Sequence, residues 1–171
     1  MNERPNAVTL KGNSFTLLGP ELKVGNPAPQ FEVIDKDLKR VELSDTQGKI
    51  RIFSVVPSLD TPVCDIQTRR FNKEASSLHD VQIYTVSMDL PFAQSRWCAA
   101  AGVDRVTLLS DHREASFGTH YGTLIKELRL NSRAVFVVDQ KDTIQHVDYV
   151  KEVSEQPNYE LALTAVRNLV S

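Results

Sequence analysis

Apolar and polar positions along this chain change period several times, and the changes mark its elements. Near the N-terminus, AVTLKGNSFTLLG alternates about Gly12 and Asn13, which predicts a β-hairpin over about residues 7–18. VGNPAPQ, with Pro27 and Pro29, predicts an extended connector. FEVIDKDLKRVEL alternates on both sides of Asp35–Asp37, as a second hairpin does. Then come the β-rich runs KIRIFSVVP, VQIYTVSMD and RVTLLSD. Between them lie the helical stretches DIQTRRFNKEASSL and PFAQSRWCAAAG, the second closing on Gly102. HREASFGTHYG reads as a further helix, and AVFVVDQKDTIQHVDYV as a hairpin around Asp139–Asp142. YELALTAVRNLV is a terminal amphipathic helix with Leu161, Ala165, Val166 and Leu169 on one face.

Strand–helix–strand–helix order, then a hairpin and a last helix, predicts an α/β fold. Its central mixed sheet is flanked by helices and preceded by an N-terminal β-hairpin. By analogy, this is the element order of a thioredoxin-like fold. The 171 residues carry no internal repeat and no low-complexity tract, so one domain over residues 1–171 is expected.

Composition excludes more than it selects. A chain 41% hydrophobic and 25% charged is an ordinary globular protein, long enough to bury a core without covalent staples. A net charge of -2 gives no reason to expect nucleic acid or an anionic membrane as a partner. No apolar run approaches the roughly 18 residues of a membrane span, and the first residues show no secretory h-region. A cytoplasmic location is therefore expected, where paired structural cysteines are rare. The two cysteines and His79, His112, His120 and His146 show no metal-ligand spacing, so no metal site is expected.

The chemistry concentrates in PSLDTPVCDIQ, residues 57–67. The preceding strand ends near Val56. Thr61 suits a helix N-cap, and Pro62 suits the first helical position. Cys64 then falls in the first turn, beyond the carboxyl end of a strand, where sites in such sheets tend to form. Free amide donors and the helix dipole favour a negative sulfur there. Making a cysteine mostly thiolate at neutral pH asks for about 3 kcal/mol. One helix end supplies at most about 2 kcal/mol, so a cation should help. Arg69, Arg70, Arg96, Arg113 and Arg133 are candidates, and spacing does not choose among them. The plainer alternative makes Cys64 a small buried hydrophobe and Thr61 and Pro62 simply the start of a helix. Cys98 stands beside Trp97 and three alanines, far beyond the spacing of a CxxC pair, and taken alone it reads as core.

Pro57, Thr61 and Cys64 stand as P-x-x-x-T-x-x-C, which resembles the active-site motif of the peroxiredoxins. PSLDTPVCDIQTRRFN and SMDLPFAQSRWC together resemble the thiol peroxidase subfamily, the atypical two-cysteine type. The resemblance extends to the N-terminal hairpin, SRAVFVVD and the last helix, nearly the whole chain. Relatives often carry Gly at the position of Pro62 and Phe at that of Trp97; neither change removes a reacting group. By this resemblance Cys64 matches the peroxidatic cysteine and Cys98 the resolving cysteine, joined after reaction in an intrachain disulfide. Thr61 matches the hydroxyl residue that bonds thiolate and peroxide. Pro57 matches the proline that shields the sulfur, and Arg133 matches the active-site arginine.

The implied activity is antioxidant: reduction of hydrogen peroxide and of organic (alkyl or lipid) hydroperoxides to water and alcohols. It passes through a cysteine sulfenic acid, uses thioredoxin as reductant and needs no haem, metal or flavin. A homodimer is implied as well. Phe53, Phe92 and Phe117 are the apolar side chains that hint at bulky hydroperoxides. Two rival readings remain. One is a redox sensor or switch using the same cysteine pair without turnover. The other is a secreted domain with a structural disulfide, against which the missing h-region and the ample core both argue.

Overall fold

The computed structural model describes residues 1–170 and builds the chain on two sheets. β1 (Glu3–Leu10) and β2 (Asn13–Leu18) form the N-terminal hairpin. Two short strands, β8 (Leu124–Ile125) and β9 (Leu130–Asn131), extend it into a four-stranded sheet of order β1-β2-β8-β9. The larger sheet contains β3 (Glu32–Ile34), β4 (Arg40–Glu42), β5 (Ile50–Val55), β6 (Val81–Ser87), β7 (Thr107–Ser110), β10 (Ala134–Val138) and β11 (Ile144–Tyr149). Its strand order is β11-β10-β5-β6-β7-β3-β4. β5, β6 and β7 run parallel, linked by α1 (Pro62–Ala75) and α2 (Pro91–Ala101), and the remaining pairings are antiparallel. With α3 (Ser116–Tyr121) and α4 (Tyr159–Val170), this is the expected thioredoxin-like α/β arrangement, a central mixed sheet flanked by helices.

β5 lies inside the sheet and every residue of it is buried. Ile50 and Ile52 meet Phe71 of α1, Val135 and Val137 of β10, and Ala162 and Val166 of α4. On the other face Phe53 and Val55 join an aromatic core with Phe31, Tyr84, Phe117, Tyr121 and Phe136. Phe117 and Tyr121 stack at 4.0 Å there, while Phe31 meets Phe53 edge-on at 5.5 Å. Cover on both faces explains why IRIFSVV has apolar residues on both faces rather than alternating, with Arg51 and Ser54 its two buried polar positions.

Three expectations need correction. On α4 the buried positions are Ala162, Leu163 and Val166, with Ala165 and Leu169 packed at their flank, whereas Leu161 is 58% exposed. The helix is apolar around more than one stripe, and the sheet takes the one centred on Ala162 and Val166. HREASFGTHYG is helical only from Ser116, because Ala115 adopts a left-handed conformation (φ 52°) that cannot continue a helix. The first hairpin begins at Glu3, not near residue 7. A register shift between Arg4 and Val8, with Asn6 at φ 55°, interrupts the alternation that would have marked its start. Among the described residues no helix is long and apolar enough to cross a membrane.

Candidate active site

The carboxyl end of β5 delivers the chain into the turn that carries the motif. Thr61 is extended (φ -137°, ψ 149°) and stands at the N-cap of α1, with Pro62 the first helical residue. Cys64 is therefore in the first turn, and it is fully buried. It packs with Val56 and Leu59, against which Trp97 of α2 and Leu108 of β7 also rest. Pro57 is half-buried where the chain leaves β5. The Thr61 hydroxyl donates to the Ser58 carbonyl at 3.1 Å and makes no cap bond to the helix.

One cation reaches the sulfur. Arg133 stands at the entry to β10, next to β5 in the sheet, and is only 2% exposed. Its Nη2 donates to Cys64 Sγ at 3.3 Å, its Nη1 to Gln67 Oε1 at 2.9 Å, and its Nε to the Val153 carbonyl at 2.8 Å. Gln67, one turn beyond Cys64 on α1, is itself fixed by donating to Ser54 Oγ at 2.7 Å. A buried guanidinium whose donors meet a carbonyl, an amide and a sulfur, but no carboxylate, lacks a counter-charge unless the sulfur supplies it. The other four candidates lie elsewhere. Arg69 pairs with Asp65 and sits over Trp97, and Arg70 pairs with Glu74 and Glu160. Arg96 is exposed on α2, and Arg113 is exposed beside Glu32 and Arg40.

Cys98 is on α2, in a separate setting. Both thiols are free. The Cys98 Sγ donates to the Val103 carbonyl at 2.6 Å, and burial pushes its ionisation up; Asp104 adds to that shift and Lys36 opposes it. A cavity of about 420 Å³ opens beside it, lined in part by Lys36, Gln94 and Asp104. Trp97 rests on the cluster around Cys64 and also on the cluster that Cys98 flanks. Of the three phenylalanines, Phe53 and Phe117 are core on the sheet face opposite α1, and Phe92 is exposed on α2.

Sequence reasoning missed the residues that hold these parts in place. The Asp89 carboxylate accepts from Ser58 Oγ at 2.7 Å, Leu59 N at 2.8 Å and Ser87 Oγ at 2.7 Å, which ties the motif loop to the start of α2. Asp111 is buried; it accepts from Phe117 N and Gly118 N, each at 2.9 Å, and from Asn131 Nδ2 at 3.1 Å. Burial pushes the Asp111 carboxyl up, against those three hydrogen bonds. SMD and LSD, each an acidic residue at the end of a strand, were the only signals for either.

A mixed sheet flanked by helices, with a buried cysteine in the first turn of α1 and a buried arginine on its sulfur, defines a protein of thioredoxin-like fold with a candidate thiol site. Comparison with known proteins narrows the class. Residues 23–163 match the Redoxin family model. A thiol peroxidase from Oceanobacillus iheyensis is 61% identical over 157 residues, covering 92% of this chain and 96% of the relative. A thiol peroxidase from Bacillus subtilis is 53% identical over 163 residues, covering 95% and 98%. Among solved structures, a peroxiredoxin-like protein from Aquifex aeolicus superposes with a TM-score of 0.88 at 40% identity, covering 96% of this chain and 97% of its own. The chain belongs to the redoxin family, among its thiol peroxidases, and is a peroxiredoxin-type peroxidase.

Proposed function

We propose that Cys64 attacks hydroperoxides and that Cys98 resolves the product, with a thioredoxin-type dithiol protein closing the cycle. The observation that carries this reading is the 3.3 Å contact between Arg133 Nη2 and Cys64 Sγ, made by a buried guanidinium with no carboxylate partner among its hydrogen bonds. A thiolate at that position answers the cation and is the nucleophilic form of cysteine.

The steps balance simply. The Cys64 thiolate forms a bond to one peroxide oxygen as the O–O bond breaks. Sulfur is oxidised by two electrons to sulfenic acid, the peroxide is reduced, and water or an alcohol leaves after taking a proton. Arg133 and the first-turn amides of α1 stabilise the charge that develops on the oxygens. The Thr61 hydroxyl takes part by turning from the Ser58 carbonyl toward the bound peroxide. Pro57, Leu59 and Trp97 keep water from the sulfur. The Cys98 thiol then condenses with the sulfenic acid, forming the Cys64–Cys98 disulfide and releasing water. Exchange with an external dithiol restores both thiols. The substrates of this reading are hydrogen peroxide and organic hydroperoxides. A homodimer and a cytoplasmic location belong to it through the resemblance.

The test is peroxide-dependent NADPH consumption with thioredoxin and thioredoxin reductase. Sustained turnover, lost in Cys64→Ser, is expected. A single oxidation with no turnover would make the pair a redox switch instead.

A further inference from the structure

Cys64 and Cys98 begin on different helices, and a disulfide needs their Cα atoms within about 7 Å. The Cys64 sulfur is held by Arg133 Nη2 and the Cys98 sulfur by the Val103 carbonyl, so both contacts must break and the segments around them rearrange before the sulfurs can bond. The turn carrying Pro57–Thr61 is the segment that couples them. It leads into the first turn of α1, and an open cleft of about 450 Å³ separates it from α2, with Leu59 and Asp60 on one side and Ala93, Trp97 and Ala100 on the other.

Asp89 spans the base of that cleft. It sits between β6 and α2, and two of the three donors to its carboxylate, Ser58 Oγ and Leu59 N, belong to the loop. The third, Ser87 Oγ, also accepts from Gln94 Nε2 of α2 at 3.1 Å, and Ser110 Oγ donates to the Asp89 carbonyl at 2.5 Å. The carboxylate is thus anchored to the sheet and to α2 on one side and holds the loop with the other. Hydrogen bonds to a carboxylate are the stronger kind, and a buried backbone N–H without its acceptor is costly.

We propose that Asp89 is a positioning residue: it latches the motif loop in the closed, peroxide-reactive form and so sets how fast the chain opens for disulfide formation. This rests on the two-cysteine reaction proposed above. Asp89 takes no part in bond making. Its effect is on the partition of the Cys64 sulfenic acid. A closed site holds that group in front of further peroxide, which oxidises it to sulfinic acid. An opened site lets the Cys98 thiol condense with it and release water.

Opening affects the two steps unequally. If the open form is less than about a tenth of the closed one, a variant that opens tenfold more often still has most molecules closed. The first peroxide reaction then changes by less than a factor of two, while disulfide formation speeds about tenfold. A general loss of structure slows both.

The test uses the full chain, in wild-type, Asp89→Asn and Ser58→Ala forms. The oxygen kept by Asp89→Asn can still accept from Leu59 N and Ser87 Oγ, but an N–H replaces the oxygen that accepts from Ser58 Oγ and every bond loses its charge. Ser58→Ala removes a single donor and leaves the carboxylate in place, which guards against a variant that does not fold. Stopped-flow fluorescence of Trp97 reads both steps, and intact mass under excess hydrogen peroxide reads the sulfinic fraction. The expected result is a first step within twofold of wild type, disulfide formation about tenfold faster in Asp89→Asn and two- to threefold faster in Ser58→Ala, and a sulfinic fraction lower in the same order. Unchanged or slower disulfide formation in both variants overturns the latch. So does a first step that slows in parallel with the second. A wild-type chain that forms no Cys64–Cys98 disulfide would instead overturn the two-cysteine reaction itself.

Discussion

Replacing Arg133 by Gln tests the reading of the sulfur's surroundings. The substitution removes the Nη2 contact to Cys64 Sγ at 3.3 Å and the two bonds that fix the guanidinium, to Gln67 Oε1 and the Val153 carbonyl. A hydrogen bond to a charged group is worth about 1.5–3 kcal/mol. Coulomb's law at 3.3 Å with an effective dielectric of about 20 gives about 5 kcal/mol, an upper limit because the charge is spread over the guanidinium. At about 1.4 kcal/mol per factor of ten, the lower range corresponds to a loss of roughly ten- to hundredfold in the second-order rate with peroxide. Two buried acceptors left without donors cost about 1–3 kcal/mol each at most. Against a typical domain stability of about 5–15 kcal/mol, most of the variant stays folded. Arg133→Lys keeps the charge but not the three-armed fork, and should fall between the two. Stopped-flow rates with peroxide in excess, read beside urea unfolding curves, make the comparison. A rate within twofold of wild type in a natively folded Arg133→Gln chain would refute the argument that this guanidinium holds the sulfur's charge.

Three further outcomes follow from named contacts. Thr61→Val keeps the shape of the N-cap residue and removes its hydroxyl, so the first peroxide reaction should slow at least about tenfold with little change in the unfolding midpoint. At Gly118 an added Cβ would lie 2.3 Å from Asn131 Oδ1 and 3.1 Å from Leu124 Cβ. Gly118→Ala must therefore push Asn131 off Asp111, and urea titration should show a loss of about 1–3 kcal/mol or more. Burial holds the ionisation of His146 below its ordinary value of 6.5, with Asp148 opposing, and its Nε2 has no partner. The stability it contributes is present above that value and lost as pH falls below it. The thermal midpoint of the wild type should thus drop more steeply from about pH 7 to pH 5 than that of His146→Gln.

What could be read from the sequence divides along physical lines. The elements around Cys64 were legible because their signals are local: β5 is a dense apolar run, and Thr61-Pro62 is N-terminal helix chemistry. β8 and β9 were not, because two residues hold no period; their pairing with β2 is fixed by tertiary contact. Ala115 ends a helical reading that propensity alone would extend, since its left-handed φ answers to Asp111 and the turn before α3. Local spacing could not select Arg133 from five cations; the resemblance did, and the fold accounts for it by placing β10 beside β5. Gln67 acts on Arg133, Asp89 on Ser58 and Leu59, and Asp111 on Asn131, all distant in sequence, so SMD and LSD could not by themselves disclose these roles.

The division of labour between the two cysteines is the central claim, and the Cys98→Ser chain tests it most directly. Mixed with one equivalent of hydrogen peroxide and followed by Trp97 fluorescence and intact mass, it should react as fast as wild type. It should gain one oxygen atom on Cys64, form no disulfide and sustain no turnover with thioredoxin, while Cys64→Ser consumes no peroxide. A Cys64→Ser chain that performs the first reaction, or a Cys98→Ser chain that turns over normally with thioredoxin, would contradict the account.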